Sequence, residues 1–190
     1  AHTPPAGAKP GEVFALNDLD LAARLSFFLW SGPPDEELID LAAAGRLKDP
    51  KTFEGQVRRM LADPKSLSLA TNFAGQWLNV SGLDLVNPDT NLFPDYTEDL
   101  IPAFREELFR FVASVITEDR SVNDLMTGDW SFLNERLAMH YGIKGVRGGE
   151  FRRVKLQQSE RKGLLGKGAL LMAASYANRS SPVVRGAYVL

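Results

Sequence analysis

The chain contains 190 residues, 44% of them hydrophobic, and its 22 basic and 24 acidic side chains give a net charge of -2. This length and apolar content suffice for a substantial buried core, and the charges do not gather into the basic stripe that nucleic-acid binding requires. The longest apolar run, residues 164–174, is interrupted by Gly166, Lys167 and Gly168 and falls short of the ~20 residues that span a bilayer. We therefore expect a globular chain with no nucleic-acid partner and no transmembrane segment.

The sequence contains no cysteine. Disulfides, zinc–thiolate sites, iron–sulfur clusters, a cysteine nucleophile and the Cys-x-x-Cys-His attachment of c-type haem are therefore excluded within these residues. No cofactor is expected to be bound covalently to this segment.

Composition divides the chain into three segments. Residues 1–16 are rich in Pro, Gly and Ala and are predicted to be a linker. Residues 17–142 are predicted to form a helical domain, and residues 143–190 a loop followed by the start of another helical domain. The apolar helical pattern that begins at Val183 meets no terminating residue before Leu190, so we expect the natural chain to continue.

Four helices are predicted in the first eighty residues from their capping residues. Asn17 or Asp18, Asp35, Asp49 and Asp63 each precede apolar residues at helical spacing. A proline follows each of the last two, at the first helical position, where no backbone donor is lost.

The middle of the chain is predicted to contain a loop and the longest helix. Turn-forming residues dominate positions 79–96, but leucines and Phe93 punctuate them, which predicts a long loop pinned to the core. The longest helix is predicted over 97–119 and a short one over 121–126.

The rest of the chain is predicted to be helical with one exception. A helix is predicted over 131–141, a glycine-punctuated helix over 162–176, and a last helix after Ser181. Weak alternation over 151–156 favours a short strand or hairpin edge. The fold is therefore predicted to be mainly α: a compact bundle of about eight helices with long loops and at most a short β-hairpin.

Any histidine-dependent chemistry rests on His140, because the other histidine, His2, lies in the predicted linker. Glu135 is five residues earlier and does not share its helix face, and the metal-binding patterns His-Glu-x-x-His and Glu-x-x-His are absent. Two roles stay open for His140: a helix-end histidine that interacts with the last carbonyls, or a haem-proximal or proton-transfer residue. No metal site is predicted, and no catalytic residue is assigned.

Adjacent carboxylates could perform acid–base chemistry if a pair were buried and shared a proton. They occur on or near predicted helices in polar stretches, which indicates solvated faces and first-turn charges instead. The four pairs are Glu36-Glu37, Glu98-Asp99, Glu106-Glu107 and Glu118-Asp119.

Two further hypotheses concern binding and catalysis. Leu92 and Phe93, in the predicted loop, could dock a polysaccharide or a protein partner. A weaker hypothesis places an oxidoreductase or hydrolase site around Trp130, Glu135 and His140. Because the segment contains no catalytic motif, whether it is part of an enzyme stays open.

Several short sequence motifs indicate a family resemblance when they are taken together. They are LAARLSFFLW (21–30) with PDEEL (34–38), QVRRMLADP (56–64), NFAGQWL (72–78), FLNERLA (132–138) with HYG (140–142), and NRSSPVVRG (178–186). Together they resemble the uncharacterised helical domains of large planctomycete-type cytochrome c-associated multidomain proteins. The resemblance extends over nearly all of residues 17–190.

The resemblance implies an exported, periplasmic protein in which c-type haem motifs lie in neighbouring segments. This segment is then expected to be an accessory helical domain that supports electron transfer or substrate access by those haem-bearing segments, with His140 near a haem. In such relatives a Cys-x-x-Cys-His motif follows the Arg-Gly phrase of residues 185–186. The family has no established reaction, so the resemblance assigns no catalytic residues.

Overall fold

The computed structural model of the chain describes residues 13–157 and 159–187. These residues contain nine α-helices and two antiparallel two-stranded sheets, which confirms the predicted mainly α fold with a short hairpin. The predicted linker falls largely outside the described residues, as does His2, and residues 13–16 have no regular structure.

The chain packs as two compact units, which divide in sequence between Leu69 and Ala70. The domain boundary proposed after residue 142 stays a prediction. Each unit has its own apolar core, so each is described by itself.

The first unit, which ends at Leu69, contains three of the four helices predicted from their caps and the start of the fourth. Asn17, Asp35, Asp49 and Asp63 each accept a hydrogen bond from a backbone N–H of the turn that follows, which satisfies donors that have no partner inside a helix. The elements are α1 (Asp18–Trp30), α2 (Glu36–Ala43), α3 (Pro50–Ala62) and a 3₁₀ helix (Pro64–Ser66) that leads into α4 (Leu67–Trp77).

Trp30 anchors the core of this unit. Its indole N–H donates to the carbonyl of Met60 at 2.9 Å, and both side chains are buried. Arg59 forms two hydrogen bonds with the carboxylate of Asp35, at 2.7 and 3.0 Å, and thereby joins α3 to the start of α2. The other buried apolar residues are Ala22, Leu25, Leu29, Leu38, Ala42 and Leu47.

The second unit is built around α5 (Leu100–Thr117), whose Phe104, Leu108 and Phe111 are buried in its core. The predicted helix over 97–119 is therefore confirmed with slightly different ends. The other elements are the 3₁₀ helix Val80–Leu85, α6 (Asp124–Thr127), β1 (Trp130–Leu133), α7 (Glu135–His140), β2 (Arg152–Lys155), the 3₁₀ helices Ser159–Arg161 and Leu164–Gly166, α8 (Gly168–Ala173), β3 (Ser175–Tyr176), β4 (Arg179–Ser180) and α9 (Pro182–Ala187).

Both sheets are short antiparallel pairs. β1 pairs with β2, with Trp130 opposite Lys155 and Leu133 opposite Arg152, and β1 also packs against α5. β3 pairs with β4 through Ser175 opposite Ser180. The strand predicted within 151–156 is thus confirmed as β2.

The helix predicted over 131–141 is wrong in its first part. Residues Trp130–Leu133 form β1, and α7 begins at Glu135, where the side-chain oxygen of Asn134 accepts from the backbone N–H of Leu137 at 2.9 Å. Pairing with β2 and the strand preference of aromatic residues outweigh the helical spacing here.

The single helix predicted over 162–176 is also wrong. Gly163 adopts a positive φ of 58°, and Lys167 is extended at φ -78°, ψ 139°, so the 3₁₀ helix Leu164–Gly166 and α8 are separate elements. An alanine at Gly163 would clash with the backbone of Met126, which shows why glycine is required there. The predicted loop over 79–96 likewise contains the 3₁₀ helix Val80–Leu85.

Candidate functional site

A carboxylate lies in the core of the second unit. Glu107 is in the middle of α5 and is 1% exposed. Its position follows from the helix repeat, because it comes three residues after Phe104 and four before Phe111, both on the buried face. The prediction that the Glu106-Glu107 pair is solvated is therefore wrong for Glu107.

Glu107 is held by hydrogen bonds from three elements. The hydroxyl of Ser131 on β1 donates to its Oε1 at 2.5 Å, and the hydroxyl of Tyr141, just after α7, donates to its Oε2 at 2.6 Å. The backbone N–H of Gly168, at the start of α8, donates to the Tyr141 oxygen at 3.0 Å and to the Glu107 Oε2 at 3.4 Å. Both carboxylate oxygens are thus satisfied, as a buried polar group requires.

The counter-ion of this carboxylate is Lys167, which is 0% exposed. Its ammonium donates to the carbonyl of Trp130 at 3.0 Å and to the hydroxyl of Ser131 at 3.1 Å, so Ser131 bridges the two charges. The ammonium also lies 4.2 Å from the centre of the Phe111 ring, within cation–π range. We call Glu107, Ser131, Tyr141 and Lys167 the buried network.

Burial shifts every titrating group of the buried network toward its neutral form. It raises the pKa of Glu107, against the opposing effects of Lys167 and of the donated hydrogen bonds. It lowers the pKa of Lys167 to about 8, opposed by the Glu107 carboxylate. Burial and the neighbouring Glu107 raise the pKa of Tyr141 well above its usual range, so Tyr141 serves as a neutral donor.

The pKa of Lys167 predicts a pH dependence of stability. Its folded value of about 8 lies below the 10.5 of an unperturbed lysine, so the stabilisation is fully present above pH 10.5 and is lost as the pH falls through 8. Between pH 8 and about 9.5 we expect the free energy of unfolding to gain about 1–2 kcal/mol from this group. Urea denaturation at both pH values measures the gain, and an NMR titration of the lysine side chain should place the midpoint near 8. A midpoint near 10.5 would contradict the burial effect.

A cavity of about 260 Å³ adjoins the buried network. Tyr141 and Gly168 belong to both, since they also line this cavity. Its walls combine aromatic and aliphatic side chains with three arginines: Arg161, Arg179 and Arg185. We call it the arginine-rimmed cavity.

His140 is the last residue of α7 and lines two cavities. One is the arginine-rimmed cavity, and the other, of about 580 Å³, is also lined by Leu92, Phe93 and Met139. The His140 ring packs edge-on against Phe104 at 5.5 Å between centroids. Partial burial of the His140 ring lowers its pKa, and the positive charges of Arg136 and Arg161 lower it further.

The weaker catalytic hypothesis places a site around Trp130, Glu135 and His140, but Trp130 and Glu135 bond to separate structural partners. The Trp130 indole donates to the hydroxyl of Ser114 at 3.2 Å, and the Glu135 carboxylate accepts from the backbone of Gly148 at 2.7 Å. Both contacts account for these side chains structurally. His140, by contrast, lines two cavities.

Sequence reasoning missed Lys167 and Tyr141 as site residues. The helical spacing of Glu107 was a usable signal, since a carboxylate on an apolar face needs a buried partner. A second signal was Lys167 itself, which interrupts the longest apolar run of the sequence. In the part of the chain that the structure describes, no three metal-ligating side chains cluster, and no helix is long and apolar enough to cross a membrane.

Fold and site together define a mainly α-helical domain whose second unit encloses an ionic network next to an arginine-rimmed cavity. The family model described as PSD4, protein of unknown function (DUF1592), matches residues 16–143. Because the match covers more than half of the chain, the chain belongs to this family. No curated protein matches the chain, and no solved structure does.

Proposed function

We propose that this segment is an accessory helical domain of a periplasmic c-type cytochrome-like protein and that it supports electron transfer or substrate access by haem-bearing neighbouring segments. In this proposal His140 is the residue nearest a haem. The family phrases at residues 21–30, 132–142 and 178–186 are the reason for the cytochrome setting and the exported location.

The role proposed for His140 rests on the protonation state of its imidazole and on its position in the wall of two cavities. Its lowered pKa keeps the imidazole neutral at pH 7, so one ring nitrogen has a free lone pair. Within residues 13–157 and 159–187, neither ring nitrogen forms a hydrogen bond. A neutral, exposed and unbonded imidazole is suited to contact a metal centre or an acidic group of a neighbouring segment.

The cavities around His140 suit a haem that is carried by a neighbouring segment. The arginine-rimmed cavity, at about 260 Å³, is smaller than the ~300–1,000 Å³ of pockets that enclose drug-sized ligands, so it does not enclose a porphyrin. The larger cavity offers Leu92, Phe93 and the 69% exposed Met139 to an apolar face. A haem bound there would supply one-electron chemistry, while the domain would supply apolar contact and the His140 nitrogen.

The test uses the natively purified parent protein. Intact mass and visible spectra, oxidised and dithionite-reduced, should show covalent haem. In that protein, His140→Ala should slow haem reduction about 10-fold, the lower end of what loss of an outer-shell partner costs. His2→Ala, which changes the other histidine, is the matched control and should leave the rate unchanged.

A colourless parent protein with no added mass would sink this proposal. It would favour the alternative function, a non-catalytic module that binds a protein or polysaccharide partner. The observation behind that alternative is the exposure of Leu85, at 89%, and of Leu92 and Phe93, because large exposed apolar side chains on one segment mark interaction surfaces.

A further inference from the structure

The described residues that line the arginine-rimmed cavity all belong to the second unit. The aromatic rings of Phe104 and Tyr141 form part of its wall and stack on each other at 6.3 Å between centroids. The rim comes from the residues around β3, β4 and α9, which include Arg179 and Arg185. A small cavity with an aromatic wall favours a compact, flat ligand.

The three arginines give the cavity its charge preference. Arg161 lies 3.8 Å from the centre of the Tyr141 ring, and Arg179 lies 5.3 Å from the centre of the Tyr176 ring. Arg185 donates to the hydroxyl of Ser175 at 3.4 Å. These contacts hold the guanidinium groups against two aromatic rings and a hydroxyl. None of these three partners is negatively charged, so the contacts do not compensate the positive charge.

No carboxylate balances this charge among the described residues. None of the three arginines forms an ion pair there, whereas other arginines do, such as Arg59 with Asp35. The described residues that line the cavity include no Asp or Glu. The nearest buried carboxylate, Glu107, is already satisfied by the buried network. The cavity therefore presents guanidinium groups without an acidic partner. A guanidinium group can bind a carboxylate through two parallel N–H···O hydrogen bonds.

We propose that the arginine-rimmed cavity binds a small aromatic carboxylate, with the ring against Phe104 and Tyr141 and the carboxylate at the rim arginines. This proposal does not rest on the haem proposed above, because its ligand is a free small molecule and its argument uses only described residues that line the cavity. A porphyrin propionate shares the carboxylate chemistry, and the test separates the two sources.

The experiment titrates the 190-residue chain with benzoate, with its uncharged analogue benzamide and with haemin, by calorimetry and protein NMR. Benzoate should bind with a Kd of about 1 mM or tighter. Benzamide should bind at least ~10-fold more weakly, since it lacks the charge-assisted hydrogen bonds. Benzoate should shift the resonances of residues that line this cavity.

Substitutions assign the contact. Arg179 is exposed on β4, and Arg179→Gln should weaken benzoate binding about 10-fold or more. Arg58→Gln is the matched control, because Arg58 is an exposed arginine in the first unit, paired with Glu54, and it should not change the Kd. The proposal is overturned if benzoate and benzamide bind equally, if Arg179→Gln binds as the unaltered chain does, or if haemin binds while benzoate shows no binding up to about 10 mM.

Discussion

Lys167→Met is expected to lower the free energy of unfolding by about 3–5 kcal/mol at pH 7, the usual consequence of leaving a buried charge without its compensating partner. The substitution shortens the unbranched side chain by one heavy atom and removes its charge. It leaves the Glu107 carboxylate in the core without a counter-ion, and it removes a donor from the Trp130 carbonyl and from the Ser131 hydroxyl. Urea denaturation followed by circular dichroism measures the loss.

A surface lysine of the same unit is the control for this prediction. Lys155 has a side chain that is 82% exposed and lies 3.7 Å from the carboxylate of Asp129. Because exposed pairs contribute little, Lys155→Met should cost about 0–1 kcal/mol. Equal losses in the two variants would show that the Lys167 charge is not paired in the core.

A double variant tests whether the loss of stability in Lys167→Met arises from the interaction between Lys167 and Glu107. In Glu107→Gln/Lys167→Met the core contains no charge, and the glutamine amide can donate to the Ser131 hydroxyl that Lys167 no longer contacts. We expect the double variant to be about 1–2 kcal/mol more stable than Lys167→Met alone, since contacting residues couple by roughly this amount. Losses that add up independently would refute the coupling of Glu107 and Lys167.

Gly168→Ala is expected to destabilise the chain by about 3 kcal/mol, although alanine favours helices. A Cβ atom at Gly168 would lie 2.5 Å from the Tyr141 hydroxyl oxygen and would also overlap the Phe104 ring. Tyr141 could then no longer both donate to Glu107 and accept from the Gly168 N–H. Thermal and urea denaturation measure the loss.

Gly55→Ala is the matched control for the glycine prediction. Gly55 lies within α3, and a Cβ there would meet nothing within 4 Å. This substitution should stabilise the chain by about 0.5–1 kcal/mol, because alanine restricts the unfolded backbone. If both substitutions were stabilising, the close approach at Gly168 would not exist.

Local signals predicted most of the helices correctly. Asn17, Asp35, Asp49 and Asp63 begin helices because each side chain bonds to backbone donors two or three residues away, and such contacts can be inferred from adjacent sequence alone. The helix predicted over 131–141 is wrong where pairing with a distant strand decides the structure. Residues Trp130–Leu133 form a strand because β2, about twenty residues later, pairs with them.

The candidate site was only partly predictable. His140 was singled out because it is one of two histidines, and it does line two cavities. The polar stretch that contains Glu106 and Glu107 predicts a solvated face for both carboxylates. The helical repeat of Phe104 and Phe111 pointed to the buried face instead.

The sequence by itself determined the helical class of the fold, the capped starts of its helices and the absence of any cysteine-based chemistry, since these depend on composition and on contacts a few residues long. Only the tertiary structure decided that Ser131, Tyr141 and Lys167 converge on Glu107, because 24 and 34 residues separate Glu107 from the first two donors. The extended backbone at Lys167 and the close approach of Gly168 to Tyr141 are likewise products of packing. A buried charge becomes tolerable only when distant elements bring its partners to it, and no local pattern contains that information.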